Sequence, residues 1–336
     1  MDVDEVDIAV LDALHVNPRA SFDEIGRVLD ISGVTAARRW RRLVDGGYAW
    51  VSSAIGPRFP AVGALLEAEC EPGAAQSVAD RLAAIAQVFS VHITTGRYNV
   101  YALVAAADQP GLARLLIDVL PGIPAIRSVQ TATVFQMFSG TYWRLGAISA
   151  RQAREVAPPA PRPVRHVFDE FDRRLYLSLQ RDGRLSYRDL AAELGRSETS
   201  VRRRLEVLTG SGSVTFRADF ARAVAGWPTS AVLTLRLASD TAVADVGRAL
   251  VPWPETRVCA AIIGGPAHLF VTVQVHEAGA LAEFSARLHE TFPGATVLST
   301  QMVLRPVKSF GRLLDADGRA RDMVPVDPWA PIPASA

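Results

Sequence analysis

Two short stretches of the 336-residue chain gather the side chains best suited to hold a polyanion. They are Arg38, Arg39, Arg41 and Arg42, and, after Arg196, Arg202, Arg203 and Arg204. A guanidinium can bond the guanine edge through two N–H groups and can bond phosphate with charge assistance. Each cluster follows a hydroxyl-bearing helix start, Ser32 to Thr35 and Ser197 to Ser200, where free backbone N–H groups also suit phosphate. The formal net charge is only +1, so a nucleic-acid surface has to be local. The residues expected to point outward are Ser32, Gly33, Thr35, Arg38, Arg39 and Arg42, with Ser197, Thr199, Ser200, Arg202, Arg203 and Arg204 as the second set. Val34, Trp40, Leu43 and Leu205 are read as facing inward. The chemistry points to double-stranded DNA.

The elements that carry these residues occur twice. Moving the sequence by 165 positions lays Asp4-Glu5-x-Asp7 on Asp169-Glu170-x-Asp172, and the register holds without a gap through Arg38-Arg39 on Arg203-Arg204 to Gly47 on Gly212. Such self-similarity marks an internal duplication. In the first copy an apolar stripe at helical spacing, Val6 to Leu14, precedes a break at Asn17-Pro18. Ser21 with Glu24, and Ser186 with Asp189, have capping-box spacing for a second helix. Ser32 and Ser197 then cap a third, basic helix. Two short helices joined by a tight turn, the latter basic, make a helix-turn-helix. The β-prone runs that follow, Tyr48 to Val51 and Val214 to Phe216, read as short wings or connecting strands.

Beyond each head the period changes to strand, helix, strand, strand, helix, strand, running from Val62 to Phe135 and from Ala231 to Leu304. That order is the ferredoxin-like βαββαβ unit, whose open sheet face has to be covered by a second sheet. The expected fold class is therefore α+β, with two winged helix-turn-helix domains alternating with two ferredoxin-like domains. The boundaries are 1–55 and 167–222 for the heads, 60–145 and 228–314 for the α/β units. A Pro-rich linker is expected over 150–166 and a loosely ordered tail over 322–336.

A helix-turn-helix of this pattern followed by a βαββαβ domain resembles the Lrp/AsnC (feast/famine) regulators. The motifs that carry the resemblance are Asp4-x-x-Asp7, Arg19-x-Ser21, Ser32-x-x-Thr35-x-x-Arg38-Arg39, Gly96-x-Tyr98-Asn99 and Thr131-x-Thr133. The resemblance implies a DNA-binding transcription regulator that responds to a small effector, an amino acid or related metabolite, bound at interfaces between α/β domains. Carried over residue by residue, the effector site comprises Gly96, Arg97, Tyr98, Asn99, Thr131 and Thr133. Asn99 stands where the family turn commonly has aspartate, and Arg97 adds positive charge that would favour an acidic effector. The second copy's turn, Gly264 to His268, lacks the tyrosine and reads as a lapsed pocket, with His268 a turn or edge residue.

The remaining composition excludes several classes. Cys70 and Cys259 stand apart in apolar runs, and the six histidines show no metal-ligand spacing. No nucleophile triad, phosphate loop or dinucleotide motif is found, so neither an enzyme nor a cofactor is expected. Sirohaem decarboxylases are similar to this family in architecture, which leaves a tetrapyrrole enzyme as the alternative, and an effector-binding scaffold with inactive heads as a third reading. No apolar stretch approaches the roughly 20 residues of a membrane span, and a cytoplasmic chain without membrane partners is expected. Each chain already holds two heads, so a homodimer or higher homo-oligomer would be built of pseudo-dimers.

Overall fold

Hydroxyl and carboxylate caps start the helices of both heads where the repeat predicts them. The computed structural model describes residues 3–56, 58–59, 61–139, 144–158, 164–239 and 241–332. In chain order the first copy runs α1 (Glu5–Val16), α2 (Phe22–Leu29), α3 (Gly33–Asp45), β1 (Ala49–Ile55), β2 (Val62–Cys70), α4 (Ala75–Ala83), β3 (Val88–Thr94), β4 (Val100–Ala106), α5 (Gln109–Arg114) and β5 (Ile126–Ser139). After α6 (Ala150–Val156), the second copy runs α7 (Glu170–Arg181), α8 (Tyr187–Leu194), α9 (Glu198–Ser211), β6 (Val214–Phe220), β7 (Thr229–Leu237), α10 (Val243–Leu250), β8 (Thr256–Ile263), β9 (Leu269–Val275), α11 (Ala280–Thr291) and β10 (Ala295–Ser309). Two short strands close it, β11 (Arg312–Leu314) and β12 (Ala320–Met323). The elements form two compact units, one of the two heads with α6 and one of the two α/β domains with the C-terminal segment.

In the head unit, Asp4 and Asp169 cap the first helices, Ser21 and Ser186 the second, and Ser32 and Ser197 the third. The residue ending the second helix is left-handed in both heads, Asp30 at φ 55° and Gly195 at φ 65°. Glycine adopts that conformation without a Cβ penalty, whereas aspartate does so at a cost of about 1 kcal/mol. The runs after α3 and α9 prove to be connecting strands. β1 and β6 pair with each other, antiparallel, with Ser52 opposite Arg217. Position 52 moved by 165 is position 217, so a pseudo-two-fold axis passes between these two residues.

Two arginines repeat that symmetry. Arg19 donates to the carbonyl oxygens of Gly183 and Leu185, and Arg184 donates to those of Pro18 (2.6 Å) and Ala20 (2.7 Å). Each guanidinium also lies over aromatic rings of the opposite copy, Arg19 over Tyr187 and Phe216 and Arg184 over Phe22. Burial, and then the nearby Arg19 charge, push Arg184 down to about 10, where it stays charged at neutral pH. Charge-assisted bonds of this kind contribute roughly 1.5–3 kcal/mol each. Arg19→Ala is therefore expected to lower thermal stability, and Arg184→Ala added to it to cost less than the sum if the clasp acts as one device. A double-mutant cycle read by calorimetry measures this coupling, and strict additivity contradicts it.

The stretch read as a linker begins with α6, an extra helix for head 1. Its Val156 carbonyl accepts from Asn17 Nδ2, its Gln152 Nε2 donates to the Val28 carbonyl, and Ala153 and Val156 are buried. Residues 159–163 of that stretch lie outside the described residues. The buried carboxylate of Asp12 fixes the approach to α6 by accepting from the backbone N–H groups of Leu145 and Ile148.

In the α/β unit each helical face covers its own sheet, with Leu66, Val78, Leu82 and Val104 in one core and Leu233, Val246, Phe284 and Leu288 in the other. The two sheets are joined through their last strands. β5 pairs with β2 of its own copy and with β8 of the other, while β10 pairs with β7 and with β3. Eight strands thus close in the order β10-β3-β4-β2-β5-β8-β9-β7 and back to β10, which removes the free edges of both sheets. Leu65, Tyr101, Leu103, Val232, Val258, Ile262 and Phe270 fill the space inside.

The expected loose tail is instead packed as far as residue 332. β11 and β12 extend the sheet beyond β10, and the chain then returns to the first copy. There Ala107 N–H bonds the Pro328 carbonyl, Asp327 N–H bonds that of Ala86, and Gln87 Nε2 bonds that of Ala330. Val326 and Asp327 are buried, so backbone pairing overrides the Pro-rich composition. Residues 333–336 lie outside the described residues.

Candidate nucleic-acid interface and effector site

The third helix of each head divides into three faces. Ala36, Trp40 and Leu43 of α3, and Val201, Leu205 and Leu208 of α9, are buried against the head. A flanking face is held by the acidic start of the first helix. Arg39 pairs with Asp4 (2.7 Å) and Asp7 (2.9 Å), and Arg42 pairs with Asp7, whose side chain is fully buried. The bonds to Asp4 and then Asp7 raise the Arg39 pKa above its ordinary value. In head 2 the aligned Arg204 pairs with Asp169 (3.0 Å) and Asp172 (3.1 Å), and His166 takes the place of a second arginine at 2.6 Å from Asp172. Arg39 and Arg204, read as outward-facing from the sequence, are half-buried and serve to dock the third helix on the first; Arg42 is exposed as expected, and its guanidinium also reaches Asp7.

The third face is open. Arg38, Arg41, Arg202 and Arg203 are exposed, and among the described residues none of them has a carboxylate partner; Arg202 stacks on Tyr187. Ser32, Ser197 and Thr199 are exposed, and Gly33, Thr35 and Ser200 are half-buried at the helix starts. The Ser32 and Ser197 hydroxyls accept from the Thr35 and Ser200 N–H groups. Val34, read as a core residue, is 80% exposed. Its helical neighbours at three and four residues are Ala37 and Arg38, not the buried stripe, and that phase is the signal that could have placed it correctly.

Around the proposed effector residues, Gly96 turns at φ 95°, as glycine readily does. Arg97 Nε bonds Glu69 Oε2 at 2.8 Å, which also accepts from Ser128 Oγ, and the guanidinium lies over the Tyr98 ring. The bonds from Ser128 and then Arg97 hold the Glu69 carboxyl below its usual range. Asn99 Oδ1 accepts from the Cys70 N–H, so its amide oxygen closes the turn. The same turn meets β10 of the second copy, because Thr95 exchanges bonds with Met302 and Gly96 faces Gln301. Gln301 in turn donates to Glu67, a carboxyl whose pKa is raised by burial inside the closed sheet.

Thr131 and Thr133 lie farther along β5. Thr131 is opposite Leu66, Thr133 is opposite both Ala64 and Ile263, and Gly264 of the second copy comes down on the Thr131 carbonyl. Each last strand thus crosses to the other copy and meets its glycine turn. The six residues read as one site are spread over two pseudo-equivalent places, and Gln301 and Met302 belong with the Gly96 turn. Sequence reading missed this because the crossing is a tertiary event without a local signature. His268 Nδ1 accepts from the Leu237 N–H, which makes it a turn-closing residue. Among the described residues no group of three His, Cys, Asp or Glu side chains could hold a metal ion, and no helix is long and apolar enough to cross a membrane.

Comparison with known proteins matches these units. The AsnC-type helix-turn-helix domain is found twice, at residues 3–44 and 168–209, and the Lrp/AsnC ligand binding domain at residues 63–143. An HTH-type transcriptional regulator of Pyrococcus horikoshii is 27% identical over 148 residues, which cover 43% of this chain and 94% of that protein. One from Methanocaldococcus jannaschii is 26% identical over 140 residues, covering 40% of this chain and 94% of that protein. Among solved structures, the siroheme decarboxylase NirDL shares the fold, with a TM-score of 0.59 over 91% of this chain and 93% of its own, at 13% identity. Two matched heads, a matched ligand-binding domain and the structural repeat of that domain lead to one assignment: the chain carries two AsnC-type helix-turn-helix domains and an Lrp/AsnC ligand binding domain, arranged as a tandem duplication of the two-domain unit.

Proposed function

We propose that the chain is a sequence-specific DNA-binding regulator that works as a covalent pseudo-dimer, with no enzymatic step. The observation that carries this reading is the pair of open arginine faces on α3 and α9, related by the axis between Ser52 and Arg217. A two-fold relation of heads suits two inverted half-sites on double-stranded DNA. DNA contact is assigned to Ser32, Gly33, Thr35 and Arg38 in head 1 and to Ser197, Thr199, Ser200, Arg202 and Arg203 in head 2. Such a chain works in the cytoplasm, on the chromosome. The clasped β1–β6 ribbon holds the two heads of one chain at one spacing, so an effector would act on how chains assemble rather than on that spacing.

The effector, a small zwitterion such as an amino acid, is assigned to the Gly96 turn, with Arg97 for its carboxylate and Glu69 for its ammonium group. Assembly into a homodimer or higher oligomer of chains is assigned to the exposed apolar strips of the closed sheet, Phe135, Met137 and Ile263 on one side and Leu298 and Leu304 on the other. Capture of genomic fragments by the purified chain, followed by footprinting with a panel of amino acids, tests the reading. Enriched sites with a protected inverted repeat are expected; no enrichment at low salt defeats it. The architecture shared with siroheme decarboxylase gives the competing reading its own signature, a Soret band on incubation with an iron tetrapyrrole in a chain that retains no DNA.

A further inference from the structure

Building on the DNA-binding reading, we infer that position 41 of head 1 and position 206 of head 2 make the operator asymmetric, head 1 selecting guanine where head 2 selects cytosine. The open face of α3 comprises Val34, Ala37, Arg38 and Arg41, and the open face of α9 comprises Thr199, Arg202, Arg203 and Glu206. Both sets have the spacing i, i+3, i+4, i+7, the spacing at which a homeodomain's third helix reads the major groove. The faces superpose under the shift of 165 positions that relates the copies, so each residue of one has a counterpart in the other.

Arg38 and Arg203 are the same on both sides and call for the same base. The last pair is opposite in character: Arg41 is a five-donor cation and Glu206 an acceptor-only anion, both exposed and, among the described residues, without an ion-pair partner. Arginine bonds guanine O6 and N7, whereas glutamate accepts from cytosine N4. On a perfect palindrome the axis between Ser52 and Arg217 would bring the same base to both positions, and one of the two side chains would face the wrong hydrogen-bonding pattern. Val34 and Thr199 form a milder pair. Both carry a methyl group for the thymine methyl, and only threonine adds a hydroxyl.

Selection from a random duplex library with the full chain tests the inference. The wild-type consensus is expected to be an inverted repeat broken at one base pair, guanine in one half-site and cytosine in the other, with a preference of about tenfold at that pair. Glu206→Arg is expected to change that cytosine to guanine and so make the half-sites alike; Arg41→Glu should make them alike in the opposite sense. Replacing thymine by deoxyuridine only at the base facing Val34, in the half-site of head 1, should weaken wild type about threefold and Val34→Ser little. A fully palindromic wild-type consensus, or variants with an unchanged consensus, overturns the assignment of positions 41 and 206. Failure of the wild-type chain to enrich any sequence instead defeats DNA binding itself.

Discussion

Arg38→Ala combined with Arg203→Ala is expected to lower operator affinity by about a hundredfold, since each bidentate arginine contributes roughly 1–3 kcal/mol to a base contact. If either arginine holds phosphate instead, the slope of log affinity against log salt falls by about 0.9 for that residue and the loss is equal on all sequences. Anisotropy titrations on operator and on scrambled duplex at several salt concentrations separate the two outcomes. Both side chains are exposed and, among the described residues, make no ion pair, so the fold should be unharmed. Arg39→Ala and Arg204→Ala provide the contrast. They remove one partner each from the buried Asp7 and Asp172, leaving Arg42 and His166, and should lower the melting temperature before they affect DNA. An alanine pair at 38 and 203 with undiminished affinity would remove the open arginine faces from the mechanism.

The second large effect concerns pH. Lys308 on β10 is wholly buried, and its Nζ donates to the carbonyl oxygens of Ala83 (2.9 Å) and Ile85 (3.1 Å) at the end of α4. Those two bonds use both N–H groups of a neutral amine; the third proton of an ammonium would have no carboxylate partner among the described residues. Burial pushes the Lys308 pKa from 10.5 down to about 7. Below pH 7 the lysine is charged in both the folded and the unfolded chain, and the full cost of burying the charge opposes folding. From about pH 7 to about 10.5 the unfolded chain binds the extra proton, so stability rises with pH, by on the order of 5 kcal/mol over the window. Lys308→Met removes this dependence together with the two carbonyl bonds. The variant should be more stable than wild type at pH 6.5 and less stable at pH 10, the curves crossing between. Melting temperatures of the two proteins across that range check it, and parallel curves would contradict it.

Most of the architecture is legible because it is locally encoded. Ser21 with Glu24 and Ser197 with Ser200 mark helix starts by hydrogen bonds over three residues, and alternating apolar residues in Val62–Cys70 mark a strand by its own period. The duplication doubled every such signal. What escaped reading depends on partners remote in sequence. Arg39 looks like Arg38 on a linear helix, and only the docking of α1 shows that Asp4 and Asp7 claim it. The proline-rich ending looks like a free tail until β11 and β12 place it against Ala86 and Ala107. The crossing of β5 and β10 between copies, which regroups the effector residues, arises from closing the sheet rather than from any motif.

The residue pair on the pseudo-axis shows what covalent duplication permits. Arg217 is nearly fully buried and bonds Asp219 at 2.7 Å, itself equally buried, while the strand opposite offers only the small Ser52. In an assembly of identical subunits, whatever stands on the axis meets its own copy, and an arginine there would confront another arginine at a site where like charges oppose strand pairing. Fusing the two copies lets one side of the dyad change alone, so that a bulky cation can stand opposite a small residue. Once that exchange has occurred, the halves are no longer interchangeable. Separated, two second halves would set Arg217 against its own copy at the shared strand and two first halves Ser52 against Ser52, so neither half alone reproduces the contact that the fused chain makes there.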